Sequence, residues 1–229
     1  MASEGRKADY SVDFVGRERE PVVTIDHFTG QIEALERMGR QASYRPVAGY
    51  PGLRSPMNPA YLAPRSALLR EIFKDCFGLA GKAELESCDF SVVSLSPEQL
   101  SPGQRIPHYD APDGGLIALL HFTGGVETGG TAFYRHRRTG FEAILPERVA
   151  AYAAGVADDD RAFGPPPARY CHGSDERYEL IGEVEARPDR AIVYRGRLLH
   201  SGHVPVTPVP ETARQTGRLT INTFIVGYP

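Results

Sequence analysis

The sequence predicts a mainly β protein with helices near its N-terminus, folded as a double-stranded β-helix, the architecture also called a jelly roll. About eight to ten short runs of the chain have strand patterning, and turns that contain glycine or proline separate them. Two amphipathic helices precede most of these strands, and they would form a layer on one outer face of the sandwich. The mouth of such a barrel is where a ligand fits.

The length and the composition fit one globular domain. Of the 229 residues, 41% are apolar and 24% are charged, as in a soluble protein with a sizeable core. We expect a single domain over residues 1–229, with an N-terminal extension and supporting helices in residues 1–80. A β-helix core would span residues 85–227 and would be interrupted by an insertion at about residues 141–177.

The charge, the N-terminal residues and the cysteines limit the partners and the compartment. A formal charge of -3 provides no basic footprint, so neither nucleic acid nor an anionic membrane is expected as a partner. Residues 1–19 are polar and contain no apolar run that could be a signal sequence or a membrane span, which favours a cytoplasmic location. The 3 cysteines are odd in number and lack CxxC spacing, so we expect reduced thiols.

Helical spacing marks two segments in the N-terminal third. One helix should begin near Phe28, with Asp26 as its cap, and a second should lie within residues 64–77 and stop at Gly78. The apolar positions of the first helix are Ile32, Leu35 and Met38, and those of the second are Leu68, Leu69, Ile72 and Phe73.

The connection between these helices is rich in turn-forming residues. Prolines and glycines recur through residues 43–59, which predicts a long irregular loop. Loops of this length inside compact domains are often binding loops or lids. An ordinary surface connection is the alternative, and the sequence leaves both open. The residues that would give a lid stacking and anion-pairing groups are Tyr44, Arg45, Tyr50 and Arg54.

The strands expected to build the barrel have alternating or continuously apolar patterns. Residues 116–122 are continuously apolar, as expected for a strand buried on both faces, and His121 within them is interpreted as a hydrogen-bonded core histidine. The insertion contains a short helix, residues 146–154, and a stiff loop at residues 164–167. The other predicted strands are residues 22–25, 88–95, 131–135, 178–185, 191–194 and 217–225.

A short H-x-D motif, formed by His108 and Asp110, indicates a metal site. We predict that it lies in a β-strand, where side chains two residues apart leave the same face. An imidazole nitrogen and a carboxylate oxygen that converge on one point are two-thirds of a 2-His-1-carboxylate triad, which holds Fe(II) on one face. The third ligand would come from residues 194–203, where an apolar strand runs into a turn that presents His200. His203 is a rival for this role.

The order of the motifs resembles that of the iron(II)- and 2-oxoglutarate-dependent dioxygenases, in particular a bacterial-type subfamily of the prolyl-hydroxylase-like branch. In that family an opening of the type G-Q-x-x-P-H-x-D precedes a Gly-Gly segment that leads into a Thr- and Phe-bearing strand, and an H-x-G turn and a basic residue follow. The matching segments here are residues 103–110, 129–134, 200–202 and Arg218. The resemblance covers roughly residues 90–225.

The resemblance implies a role for each matched residue. Arg218 would pair with the distal carboxylate of 2-oxoglutarate, because a guanidinium group can hold a carboxylate through two parallel hydrogen bonds. Strand alternation places Thr220 and Asn222 on the face of Arg218, so they are candidates to help bind the cosubstrate. The residues that the resemblance assigns as iron ligands and catalytic residues are His108, Asp110 and His200.

Two features depart from the family pattern. No evident tyrosine lies just upstream of the H-x-D motif, where many relatives place a second contact to the cosubstrate, so that contact is left unassigned. The separation between His200 and Arg218 is longer than usual, so residues 204–216, which are rich in proline and threonine, should protrude before the last strand begins.

The resemblance implies a non-haem oxygenase that uses Fe(II), 2-oxoglutarate and O₂ to hydroxylate a small-molecule or peptide substrate, which the sequence does not identify. A homodimer is left open. One alternative is a cupin-like metalloenzyme with the same triad, which would not use 2-oxoglutarate and would not need a carboxylate clamp at Arg218. Another is a jelly-roll binding module without catalysis, in which the histidines and the aspartate are incidental and take up no metal.

Overall fold

A computed structural model describes residues 10–204 and 216–229. The predicted protruding loop, apart from its first and last residues, therefore lies outside the described residues. The strands within these ranges are β1 (Tyr10–Val15), β2 (Glu20–Ile25), β3 (Arg45–Pro46), β4 (Gly52–Pro56), β5 (Ala83–Val93), β6 (Leu116–Phe122), β7 (Gly130–His136), β8 (Tyr178–Glu185), β9 (Arg190–Arg195), β10 (His200–His203) and β11 (Leu219–Gly227). The α-helices that lie wholly within the described ranges are α1 (Ile32–Gln41), α2 (Ser66–Phe77) and α3 (Val149–Phe163).

Two antiparallel sheets of the described chain enclose a shared core. The larger sheet has the strand order β1-β2-β9-β6-β11-β5-β4-β3, and the smaller sheet has the order β10-β7-β8. Alternate residues of β6 and β9 point between the sheets, where Leu120, Phe122 and Ile192 pack against Phe133 of β7. This architecture is a double-stranded β-helix, which confirms the predicted fold class.

The two N-terminal helices cover the outer face of the larger sheet, as the sequence predicts. Helix α2 buries Ile72 and Phe73 against outward-facing residues of β2, β6 and β9. Each such side chain contributes roughly 1.5–3 kcal/mol when it is fully removed from water. Helix α1 packs through Leu35 against β5 and β11. Met38, which the helical spacing assigns to the apolar face, is 54% exposed, so that face is narrower than predicted.

Strands β1 to β4, within residues 10–80, belong to the larger sheet. Strands β1 and β2 lengthen the larger sheet beyond β9, and β3 and β4 lengthen it beyond β5. An uncovered edge strand exposes unpaired backbone groups, and these additions cover both edges of the central strands.

None of the helices in the described part of the chain has the length and the apolar character needed to span a bilayer.

The prediction of an irregular loop over residues 43–59 is wrong. These residues form the hairpin of β3 and β4, and β4 pairs with β5 from Gly52 opposite Val93 to Pro56 opposite Asp89. Gly52 makes this pairing feasible, because a Cβ atom at that position would collide with the carbonyl oxygen of Val92. The glycine that indicates a loop in the sequence therefore permits a close strand contact.

The helix of the insertion is longer than predicted. Helix α3 continues past residue 154, where the predicted helix ends, and through the acidic residues 158–160, two of which have partners outside the helix. Asp159 is buried and accepts hydrogen bonds from His136 Nε2 at 2.8 Å and from Arg138 Nε at 2.6 Å. Asp160 pairs with Arg177 at 2.6 Å. The contacts of Asp159 anchor the insertion to β7 and to the turn after it, and the pair of Asp160 with Arg177 joins α3 to the segment before β8.

Candidate metal centre

The H-x-D segment reaches the barrel without forming a strand, so the prediction of a strand here is wrong. Its one β-bridge joins His108 to His200 of β10. A regular ladder is not available, because Pro107 lacks an N–H donor. His108 and His200 exchange backbone hydrogen bonds of 2.9 and 2.8 Å. The Asp110 N–H donates to Gly196 O at 2.7 Å, so backbone contacts hold both motif residues in place.

Three candidate ligands converge at this point. His108 Nε2 lies 3.9 Å from Asp110 Oδ1, and His200 Nε2 lies 3.7 Å from Asp110 Oδ2. One ligand atom from each residue lies within 4.8 Å of the other two. Among the described residues, no other group of three or more His, Cys, Asp or Glu side chains has such spacing. Two imidazoles and one carboxylate are the donor set of an Fe(II) facial triad, so these residues fit a divalent metal ion.

Burial gives the triad the protonation states that metal binding requires. The His108 side chain is 54% exposed, toward the pocket. Desolvation of its ring inside the pocket lowers the pKa of His108 to about 4. His200 and Arg54 add to this shift, and Asp110 opposes it. Burial also lowers the pKa of His200 to about 4 and raises that of Asp110 to about 6. At pH 7 both imidazoles are therefore neutral and the carboxylate is ionised, as ligands must be.

The orientation of the His200 ring follows from its hydrogen bond. Its Nδ1 lies 2.7 Å from Leu198 O, and a carbonyl oxygen can only accept, so Nδ1 carries the proton. The lone pair is then on Nε2, the nitrogen that faces Asp110. Such a backbone partner is the usual means by which a metal-binding histidine is oriented.

The other two histidines considered in the sequence lie elsewhere. His203 interacts with Glu183, at 2.6 Å, and with His172, at 3.0 Å, outside the group of converging ligands. His121 is fully buried and bonds through Nε2 to Asp189 at 3.0 Å, in agreement with its interpretation as a core histidine.

A pocket of about 540 Å³ connects the triad with Arg218. Arg218 donates from Nη2 to Gly130 O at 2.9 Å, and its Nη1 would lie 3.5 Å from a Cβ atom built on Gly202. Gly202 is two residues beyond His200 on β10, which is roughly 7 Å along the strand. The guanidinium group of Arg218 therefore lies about two residues, or roughly 7 Å, along β10 from His200.

Arg218 has no acidic partner among the described residues. No carboxylate oxygen of the described chain lies within 4.0 Å of it, and its Nε is buried without a hydrogen bond. Burial lowers the pKa of Arg218, and Tyr50 and Tyr194 oppose the shift. A buried cation without a counter-ion is costly, and the carboxylate of a ligand would remove that cost.

The two polar residues predicted beside Arg218 have different positions. Asn222 lines the pocket. Thr220 is fully buried and donates from its hydroxyl to Asn222 Oδ1 at 2.8 Å. Thr220 therefore orients the amide of Asn222, and the NH₂ group of that amide is not used in this bond.

Two polar pocket residues were not assigned to cosubstrate binding from the sequence, although the strand that contains Thr131 matches the family pattern for a pocket wall. Thr131 lies opposite Gly202 on β7, and its buried hydroxyl has no hydrogen-bond partner in the described chain. Burial holds the pKa of Tyr194 well above its usual range, with the charge of Asp110 adding to the shift and Arg218 opposing it. Tyr194 is therefore within electrostatic range of both the triad and the guanidinium group. Two features of the sequence could have indicated them. Tyr194 occupies an inward position of a predicted strand, and Thr131 follows the Gly-Gly pair of the matched segment.

Only part of the predicted lid faces the pocket. Tyr50 and Arg54 line it, and the Arg54 guanidinium carbon lies 4.5 Å from the centre of the Tyr50 ring. Tyr44 instead donates to Gly39 O at 2.8 Å, and Arg45 is exposed. Tyr170 also lines the pocket, and its hydroxyl donates to Leu95 O at 2.7 Å.

The fold and the site define a class, that of double-stranded β-helix proteins with two histidines and a carboxylate grouped beside a pocket. The chain belongs to the family of unknown function DUF6445, whose model matches residues 6–225. No curated protein matches the chain.

Among solved structures, the chain is similar to HygX from Streptomyces hygroscopicus. The structure of HygX with nickel and 2-oxoglutarate bound is 12% identical, has a TM-score of 0.51, and the match covers 92% of this chain and 84% of that one. The structure with iron bound is also 12% identical at a TM-score of 0.51, with 92% and 83% covered. The structure that also contains hygromycin B is 15% identical, with a TM-score of 0.51 and the same coverage as the first. At these identities the likeness establishes the fold.

Proposed function

We propose that this protein is a non-haem oxygenase that uses Fe(II), 2-oxoglutarate and O₂ to oxidise a small-molecule or peptide substrate. The observation that carries the proposal is the presence of two complementary binding groups in one pocket. His108, Asp110 and His200 converge as metal ligands, and Arg218 lies nearby without an acidic partner in the described chain. A five-carbon keto diacid, bound to the metal at one end, has a chain length that suits the separation along β10.

The groups have separate tasks in this proposal. The three ligands hold the metal on one face, and the remaining positions are left for the cosubstrate, O₂ and the approach of the substrate. Bound there, Fe(II) would supply the oxidation of a substrate C–H bond, coupled to the conversion of 2-oxoglutarate into succinate and CO₂. Arg218 binds the distal carboxylate, and Thr131 and Tyr194 offer hydroxyl groups to the same molecule. Thr220 acts through Asn222.

Two further considerations support this assignment. HygX has the same fold, and one of its structures contains nickel and 2-oxoglutarate while another contains iron. Arg218 is a buried cation without a counter-ion in the described chain. In a cupin-like enzyme that does not use 2-oxoglutarate, no cosubstrate carboxylate would offset the cost of burying it. A binding module without a metal would have no use for three ionisable side chains in their ligand forms.

The experiment that tests the proposal is calorimetric titration of 2-oxoglutarate into the Mn(II)-loaded protein under anaerobic conditions. Replacing the group that pairs with a buried carboxylate typically costs about 2–5 kcal/mol, so Arg218→Gln should weaken the binding by roughly thirtyfold to several thousandfold. Mn(II) affinity should change little. Arg45→Gln is the matched control, because Arg45 is exposed and lies outside the pocket lining. Absence of binding to the wild type, or equal binding to Arg218→Gln, would contradict the cosubstrate assignment.

A further inference from the structure

The same pocket contains a second arginine that the proposed function does not use. Resting on that function, we propose that Arg54 binds an oxyanion of the substrate, a carboxylate or a phosphate, so that the substrate is an anion with an unsaturated or aromatic portion. Arg54 is then the residue that orients the substrate against the triad.

The surroundings of Arg54 leave its donors available to a ligand. Its Nε is buried without a hydrogen bond, and no carboxylate of the described chain lies within 4.0 Å of the guanidinium group. Asp110 is the one acidic residue among the pocket-lining residues described, and as a metal ligand it is already engaged. A planar fork of donors of this kind is suited to bidentate recognition of a carboxylate or a phosphate.

The charges of the pocket indicate the sign of the substrate. A divalent ion and the two guanidinium groups outweigh the Asp110 carboxylate by three charges. 2-Oxoglutarate is a dianion, so it cancels two of them. One positive charge is left when both metal and cosubstrate are bound, and a pocket with low-dielectric walls concentrates that field on an incoming ligand. An anionic substrate completes the neutralisation.

Arg54 is well placed for recognition because a sheet holds it. It lies in β4 opposite Ser91 of β5, with its guanidinium group over the ring of Tyr50. Strand-borne groups are positioned more accurately than groups on loops. The rings of Tyr50, Tyr109 and Tyr170 also line the pocket, so the part of the substrate next to the anion meets aromatic surfaces.

The test uses three probes on the protein saturated with Mn(II) and 2-oxoglutarate. Phenylacetate and phenyl phosphate carry the two candidate anions, and phenylacetamide is a neutral analogue of the first. Calorimetry gives the affinities, and the Mn(II)-induced relaxation of the probe protons reports whether each probe lies beside the triad. The variants are Arg54→Gln, Arg54→Lys, which keeps the charge without the planar fork, and the exposed control Arg45→Gln.

We expect the wild type to bind at least one of the anions about tenfold or more tightly than phenylacetamide, with relaxation of its protons. Arg54→Gln should abolish this preference, Arg54→Lys should keep part of it, and Arg45→Gln should keep all of it. Whichever anion is preferred identifies the oxyanion. Equal binding of the three probes, including no binding, or a preference that survives in Arg54→Gln, would overturn the inference.

A titration of 2-oxoglutarate into the same variants separates the two proposals. Arg54→Gln should bind 2-oxoglutarate as the wild type does, whereas Arg218→Gln should not. If both substitutions weaken it equally, Arg54 is a second cosubstrate contact and the inference is wrong. If the wild type binds no 2-oxoglutarate, the proposed function is wrong. The probe titrations are then repeated with Mn(II) alone, and a preference for the anions over phenylacetamide that is lost in Arg54→Gln still supports the role of Arg54, whereas its absence overturns that role.

Discussion

His108 and His200 are joined through their backbones, because each N–H donates to the carbonyl of the other at 2.9 and 2.8 Å. This single β-bridge ties an irregular segment to β10 and places the two rings with their centres 4.3 Å apart. The two histidines are therefore positioned by a contact between residues that are 92 positions apart in the sequence.

Each triad residue should be needed for metal binding. His108→Ala, Asp110→Ala and His200→Ala each remove one of the three proposed ligands. Changes to the partners of ligands already cost about 10–100-fold in metal affinity, so loss of a ligand should exceed that range. Titration of Mn(II) into the metal-free variants measures the effect.

The controls for this experiment are the two rival histidines. His203→Ala should retain metal affinity, because its partners are Glu183 and His172. His121→Ala should lower stability while the folded fraction still binds metal, because its ring is buried against Asp189. Loss of metal in His203→Ala together with retention in His200→Ala would reverse the choice of the third ligand.

Gly196 should be required for the position of Asp110. A Cβ atom at residue 196 would lie 2.9 Å from Leu116 Cδ2 and 3.2 Å from Asp110 Cβ, so Gly196→Ala should displace the aspartate. We expect a loss of about 10–100-fold in Mn(II) affinity, as for other changes that reorient a ligand. Gly103→Ala is the control, because a Cβ atom there would have no neighbour within 4 Å. Equal affinities of the two variants for Mn(II) would contradict this role.

The sequence predicts those parts of the molecule that depend on local patterns. The bounds of β6 and β8 match the predicted strands, because continuous or alternating apolar residues reflect burial directly. The order of the motifs indicates that His108, Asp110, His200 and Arg218 belong together, and these residues do line one pocket, while their roles remain predictions. Strand β4 could not, because its glycine and prolines indicate a turn, and only the free edge of β5 makes it a strand. The sequence names Arg54 as a candidate anion-pairing residue of a lid, but its place on a strand beside the pocket depends on that pairing and could not be predicted.

Tyr194 should contribute to cosubstrate binding through its hydroxyl group. Removing a hydrogen bond to a charged group costs about 1.5–3 kcal/mol, so Tyr194→Phe should weaken 2-oxoglutarate binding by roughly ten- to hundredfold. Mn(II) affinity should not change, because the ring that packs at 4.8 Å against His200 remains. Tyr170→Phe is the matched control, since that pocket hydroxyl is already engaged by Leu95 O. An unchanged 2-oxoglutarate affinity in Tyr194→Phe would show that the hydroxyl makes no such contact.

Asp189 connects the start of β9 with the entry to α1. Its carboxylate accepts hydrogen bonds from Thr29 N at 2.9 Å, Thr29 Oγ1 at 2.7 Å, and Gly30 N at 2.7 Å. His121 Nε2 adds a fourth contact at 3.0 Å. Burial by itself would raise the pKa of Asp189, but the hydrogen bonds from His121, Thr29 and Gly30 outweigh it and hold the pKa below its usual range.

The stabilisation by Asp189 should therefore depend on pH in a defined direction. A carboxyl group whose pKa is depressed by folding contributes fully above its unfolded pKa, near 4, and loses that contribution as the pH falls toward the folded pKa. Asp189→Asn should lower the free energy of unfolding by about 2–4 kcal/mol at pH 7. The difference from the wild type should shrink below pH 4 by up to about 1.4 kcal/mol per pH unit. Urea unfolding of the metal-free proteins between pH 7 and pH 3 measures it, with Asp13→Asn, at an exposed position of β1, as the control. If the difference in free energy of unfolding between the wild type and Asp189→Asn stays constant over this pH range, the charge of Asp189 contributes nothing to stability. The loss would then come from the altered hydrogen bonding and packing of the amide.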